Sequence, residues 1–153
     1  NFMLSAGKAL NAILPTKANT YTNNESLKII WLGPNEWLII DENRNNKEDL
    51  FSKLHNSVGS QDTSVTDVSE NRTIIRISGR KLFILLAKFL AFDLNTNLAN
   101  SSSVAQTLFI KVPVLLMRHH EHDIEPKIDI FTNRSHANYV YKILVDGTKN
   151  LDF

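Results

Sequence analysis

No cysteine occurs in the chain, which excludes disulfides, thiolate nucleophiles, Cys-ligated zinc and iron–sulfur clusters from it. Cytoplasmic residence is compatible with that absence and is the expected location. Glycine is scarce, five residues scattered along the sequence, too dispersed to cradle a phosphate. Consistently, no Walker loop, G-x-G-x-x-G turn, G-x-S-x-G elbow or H-E-x-x-H helix is present. Neither sign of charge dominates: 17 basic and 16 acidic residues leave a formal charge of +1, and no long like-charged block exists to track a phosphate backbone or an anionic bilayer. Nucleic acid and membrane are therefore not expected partners. Long apolar runs are missing too. The most apolar stretch, Leu82 to Leu90, is broken by Lys88 and falls short of the roughly 18–20 residues needed to cross a bilayer. The opening "NFMLSAGKALNAILP" carries a lysine and reaches Pro15 without a cleavage signature, so no signal peptide is expected.

What is present suits a folded core. With 153 residues, 42% of them apolar, the chain has the size of one domain spanning residues 1–153, with residues 1–25 free to form an extended N-terminal arm. "LKIIWLG" and "EWLIID" flank Gly33, Pro34 and Asn35 and predict a hairpin. "NRNNKEDLFSKLHNSVG" opens on asparagines and sets Leu50, Phe51, Leu54 and Val58 at helical spacing, with Gly59 available to end the helix. "SVTDVSENRTIIRISG" predicts two strands about a polar break at Glu70 and Asn71. "GRKLFILLAKFLAFDL" predicts a helix that is apolar on nearly every side and covered on more than one face. In "SVAQTLFIKVPVLLMR", Pro113 removes a backbone donor, so the run predicts two strands or one bulged edge strand. "KIDIFT" predicts a further strand. Ser135 is placed to cap a last helix with Ala137, Val140, Tyr141 and Leu144 on one stripe and Gly147 at its end. Strand pairs followed by helices predict an α+β fold, largely antiparallel sheets with helices on one face.

The densest cluster of potential ligands is "RHHEHD", Arg118 to Asp123, which holds three of the five histidines. As a strand it would bring only His120 and His122 to one face. As a helix it would align His119, His122 and Asp123, a partial zinc set. Pro126 follows closely and disfavours a helix before it. A solvated loop tip is the simplest account, and a metal-binding histidine loop is the competing one. Asp67, Ser69 and Glu70 are candidate acid–base groups, but a carboxylate needs burial or a charged neighbour to acquire a catalytic pKa. A polar turn bonding to backbone amides is the plainer reading. Arg72 and Arg76 lie four apart on one strand and face the same way, as either exposed arginines or a carboxylate-docking pair. Trp31 and Trp37 flank the first turn, as core residues or as interface anchors.

Taken in order, these segments resemble the gamma subunit family of heterotetrameric sarcosine oxidase. "WLGPNEWLII" (Trp31 to Ile40) is similar to W-L-G-P-D-E-W-L-L, and "TDVSENRTIIRISG" (Thr66 to Gly79) to V-D-V-S-x-x-R-x-x-L-R-L-S-G. "LAKFLAFDL" follows at the right distance. "AQTLFIKVPVLLMR" resembles A-Q-T-L-x-x-x-V-P-V-x-L, and "NRSHANYVYKIL" resembles R-S-x-A-x-x-L-x-x-x-L. The chain departs at Glu70 and Asn71, where His-Arg is common, and at the histidine tip, where the family's loop varies. The Asp-Val-Ser, strand, glycine, helix succession also resembles the aminomethyltransferase family, whose folate-binding fold the gamma subunit shares in reduced form.

The resemblance implies a non-catalytic assembly subunit of an oxidoreductase complex that demethylates sarcosine to glycine, linked to tetrahydrofolate. Its partners would be the alpha, beta and delta subunits, mainly alpha. FAD, FMN, NAD and zinc would belong to those partners, with no catalytic, cofactor or metal residue in this chain. Trp31, Trp37, Arg72, Arg76, Phe89 and Arg134 are the expected partner-interface residues. The alternative is a stand-alone folate-binding or one-carbon-transfer domain.

Overall fold

A computed structural model of the chain describes residues 2–24, 26–43, 47–100, 102–119, 125–149 and 151. The chain divides into two compact units, Asn1–Asp67 and Val68–Phe153.

In the first unit, β1 (Tyr21–Asn24), β2 (Leu27–Gly33) and β3 (Glu36–Asp41) form an antiparallel meander. The expected hairpin is β2–β3, with Ile29 opposite Ile39 and Trp31 opposite Trp37. The extended arm is corrected: residues 2–10 form helix α1 (Phe2–Leu10), and β1 extends the sheet. The physical reason is a helical apolar stripe, Phe2, Met3, Ala6 and Leu10, which packs with Leu14, Ile29, Leu54 and Val58. Helix α2 (Lys47–Val58) supplies the last two of those residues. Its expected stripe is corrected at Phe51, which is 42% exposed while Leu54 and Val58 are buried. The chain leaves α2 at Gly59, whose N–H donates to His55 O at 2.7 Å.

The second unit holds β4 (Arg72–Ser78), α3 (Leu82–Ala87), α4 (Leu94–Asn97), β5 (Val104–Phe109), β6 (Val112–His119), β7 (Lys127–Asn133) and α5 (Arg134–Thr148). Its four strands are antiparallel in the order β4-β7-β6-β5. Strand alternation sends Ile75, Ile77, Ala105, Phe109, Val114, Leu116, Ile128 and Ile130 to one face. There they pack with Leu82, Leu85 and Leu86 of α3 and Val140 and Leu144 of α5. Each fully buried aliphatic side chain contributes about 1.5–3 kcal/mol.

Several expectations are corrected here. Residues 64–71, expected to include the first of two strands, form none and end in a turn closed by Asn71 N–H to Val68 O at 3.0 Å. The long apolar helix is short: beyond Lys88 the chain turns away, Phe89 O accepts from Ile110 N–H at 2.9 Å, and Leu90 bridges to Phe109. Pairing with the β5–β6 turn thus competes with helix continuation and wins. Pro113 lies where β6 has not yet begun to pair with β7, so two strands form without a lost ladder bond on that side. In α5, Asn133 rather than Ser135 occupies the N-cap, and Tyr141 is exposed while Val140 and Leu144 are buried. Gly147 lies inside the last turn, where a Cβ would come 2.6 Å from Phe89 Cζ, so it permits close helix approach rather than ending the helix.

Gly79 has φ +142°, which excludes side chains with a Cβ on steric grounds. Ile110 has φ +58° in the two-residue β5–β6 turn, a region unfavourable to a β-branched residue. Replacing this partly exposed side chain, Ile110→Gly, is expected to raise unfolding free energy by about 1 kcal/mol, measured by urea titration. The same titration is expected to show Leu116→Ala losing about 2–5 kcal/mol, because it opens a void in the core.

Candidate functional site: a carboxylate clamped across three strands

The register of the second sheet places Arg76 of β4 directly opposite Asp129 of β7, and Asp129 opposite Met117 of β6. His119 follows two residues after Met117 and so faces the same way. This face is the one turned away from α3 and α5. Asp129 is the single charged residue inside "IDIF", and its side chain is 2% exposed. A carboxylate so buried requires partners. Arg76 Nε donates to Oδ1 at 2.7 Å and Nη2 to Oδ2 at 2.9 Å, a two-pronged fork. His119 Nε2 lies 2.8 Å from Oδ2. That approach is close but off the line of a well-formed hydrogen bond. Burial alone pushes the Asp129 carboxyl up; the Arg76 fork and the nearby imidazole outweigh it and hold the group down at about 2.

Such a group is poorly suited to proton transfer, since a general base works best with a pKa near the working pH. Both its oxygens are also engaged. The cluster is therefore an electrostatic clamp across β4, β7 and β6. Asp129 and His119 were not singled out as partners by the sequence reading. The available signal was a lone acid in an apolar strand, with an arginine on a neighbouring strand to satisfy it.

The other predicted residues do not converge. Trp37 Nε1 donates to Pro15 O at 2.8 Å and its ring lies 5.5 Å from that of Phe2, within the first unit's core. Trp31 is half-buried opposite it. Arg72 shares the sheet face of Arg76, as expected, and stands opposite Asn133. Phe89 packs against Phe109 at 5.1 Å on the helix-covered side. Arg134 donates to Glu70 at 2.9 Å, both side chains largely exposed, an arrangement of small energetic weight. Glu70 thus has no buried environment of the kind a catalytic acid needs.

Of the histidine tip, residues 120–124 lie outside the described residues. The account of the whole stretch as a solvated loop is corrected for Arg118 and His119, which end β6. Arg118 donates to Leu98 O at 3.0 Å and lies 5.2 Å from the Phe83 ring centroid, and His119 is held at Asp129. Among the described residues no group of three or more His, Asp or Glu side chains is placed to hold a metal ion. Nor, among them, is any helix long and apolar enough to cross a membrane.

The arrangement defines an α+β chain of two antiparallel sheets with its strongest buried charge committed to strand packing. A solved structure of heterotetrameric sarcosine oxidase from Corynebacterium sp. U-96, in complex with pyrrole 2-carboxylate, contains a chain of similar fold. The TM-score is 0.82 at 24% identity, covering 95% of this chain and 72% of that one. Sarcosine oxidase subunit gamma of Corynebacterium sp. strain P-1 is 28% identical over 112 residues, 72% of this chain and 54% of that protein. The Arthrobacter sp. subunit is 30% identical over 94 residues, 61% and 45% respectively. The chain spans about half the length of these curated relatives. The profile of the sarcosine oxidase, gamma subunit family matches residues 1–150, and the chain belongs to that family.

The clamp carries a pH dependence of defined sign. Because the folded-state pKa of Asp129 is depressed, its contribution is present above the unfolded value near 3.8 and is lost as pH falls toward about 2. Acid titration followed by circular dichroism is expected to show a stability loss in that window of about 1–2 kcal/mol, allowing for solvent screening at the half-exposed Arg76. The variant Asp129→Asn is expected to remove that part of the acid dependence and to cost about 1–3 kcal/mol at neutral pH.

Proposed function

We propose that the chain is a non-catalytic assembly subunit of a heterotetrameric sarcosine oxidase, which oxidatively demethylates sarcosine to glycine and is linked to tetrahydrofolate. The observation that carries this reading is the family match along residues 1–150. The side-chain chemistry supports it: the best-formed ionic site holds its carboxylate down at about 2 and uses both oxygens for packing. In this reading the alpha, beta and delta subunits are the partners, alpha chief among them, and FAD, FMN, NAD and zinc reside in those chains. The two-sheet architecture is a reduced form of the aminomethyltransferase-type fold that has given up folate binding. Assembly in the cytoplasm follows from the same proposal.

Coexpression with alpha, beta and delta chains is expected to give a complex containing this chain in stoichiometric amount, read by size-exclusion chromatography and densitometry. Omitting this chain is expected to lower the yield of intact complex. A complex lacking it that is equally stable and fully active contradicts the proposal. Calorimetric titration of the isolated chain with tetrahydrofolate is expected to give no binding heat at millimolar ligand, and a saturable heat would favour a folate-binding domain instead.

A further inference from the structure

The two edges of the second sheet differ. At β5, the outer edge is partly closed by the Leu90–Phe109 bridge and the Ile110 N–H to Phe89 O bond. At β4, no strand pairs with the outer edge among the described residues. The bonds Arg134 N–H to Asn71 O and Gly79 N–H to Pro126 O set the odd-numbered residues of β4 toward β7, so Arg72, Ile74, Arg76 and Ser78 turn their backbone groups outward, and among the described residues no backbone hydrogen bond from outside the sheet reaches Arg72, Ile74 or Ser78. Exposed edges recruit strands, and proteins ordinarily block them with short length, proline, a bulge or a projecting charge. β4 has seven residues, no proline and an unbroken register from Arg72–Asn133 to Ser78–Lys127. Its central charge, Arg76, is drawn onto Asp129 in the adjacent strand. Ile74 is 44% exposed.

A second feature adjoins the same strand. An open cleft of about 300 Å³ lies at the end of β4, with Leu82 and Leu85 as apolar lining and Arg76, Ser78, Lys81 and Thr148 as polar lining. Gly79, beside it, has nothing within 4 Å of where a Cβ would stand. The charges along this edge and its exit are Arg72, Arg76, Arg80 and Lys81, with Asp129 the acid that faces Arg76. Antiparallel self-pairing would bring Arg72 and Arg80 of two copies onto one ribbon, a surplus of like charge that Asp129, already matched to Arg76, does not relieve. A strand carrying carboxylates is complementary instead.

We propose that the outer edge of β4 is a strand-addition site for an extended acidic segment of a partner chain, one side chain of which seats in the adjoining cleft. The inference rests on the assembly role proposed above and specifies the surface and chemistry of the contact. Main-chain bonds to β4 would supply affinity, and the cationic flank and cleft would select the segment.

Hydrogen–deuterium exchange on the isolated chain and on the coexpressed sarcosine oxidase complex tests it. Amides of residues 72–78 are expected to exchange at least ten-fold more slowly in the complex. Ile74→Lys and Arg72→Glu are expected to reduce recovery of this chain with the complex by at least ten-fold while leaving the thermal midpoint of the isolated chain within 2 °C. The control Val145→Lys, on an exposed position of α5, should change neither. A complex that forms normally with unchanged exchange at 72–78 overturns the strand-addition site and leaves the assembly role standing. Failure of the wild-type chain to enter any complex overturns both. An isolated chain that dimerises with residues 72–78 protected overturns the acidic-partner assignment, because a second copy would then be the occupant.

Discussion

A carboxylate buried between strands must either lose its charge or find cations, and the second unit depends on how Asp129 meets that requirement. Its position in β7, the strand between β4 and β6, lets one side chain engage both neighbours: Arg76 across one strand boundary and His119 across the other. A one-residue slip of either strand would carry the partner to the opposite face and leave the charge uncompensated. The clamp thus specifies register as well as strengthening it. It also draws Arg76 toward β7, so that Arg72 at the start of β4 is the strand's other cation.

Parts of this were legible in the sequence because local patterns and tertiary packing agree. The β2–β3 hairpin has strand formers on both sides of Gly33–Pro34–Asn35, and α5 has Val140 and Leu144 at helical spacing. The same-face placement of Arg72 and Arg76 follows from period two alone. Other parts were not legible because the deciding interaction is distant in sequence. The apolar run after Leu82 reads as one long helix, yet Phe89 O is taken by Ile110 N–H, 21 positions along. Ile110 offers no turn signal, and its left-handed conformation is imposed by the hairpin it closes. Helix α1 is hard to read from sequence because its short stripe, Phe2, Met3, Ala6 and Leu10, gains its meaning only from Ile29, Leu54 and Val58, which are distant in sequence. The Asp129–His119 contact joins two segments whose separate motifs, a strand and a histidine run, say nothing of each other.

The expected interface residues divide along physical lines. Trp37 and Phe89 fill cores, and Arg134 makes an exposed ion pair within its own unit. Arg72 and Arg76 share a sheet face on β4, whose outer edge is paired with no strand among the described residues, while Trp31 and Trp37 stand opposite each other on β2 and β3. The assembly role proposed above would accordingly draw on backbone groups and the cationic flank of β4 more than on aromatic anchors. Membership of the gamma subunit family and the commitment of Asp129 to strand packing are separate observations that support the assembly role proposed above.

Clamped by Arg76 on one side and His119 on the other, Asp129 serves strand packing and not proton transfer. Carbon-13 NMR of the Asp129 side-chain carboxyl, followed across pH in the folded chain, tests it directly. A single low midpoint at about 2 and a flat signal from pH 5 to pH 8 are expected. A titration step of the Asp129 carboxyl itself near neutrality would contradict it.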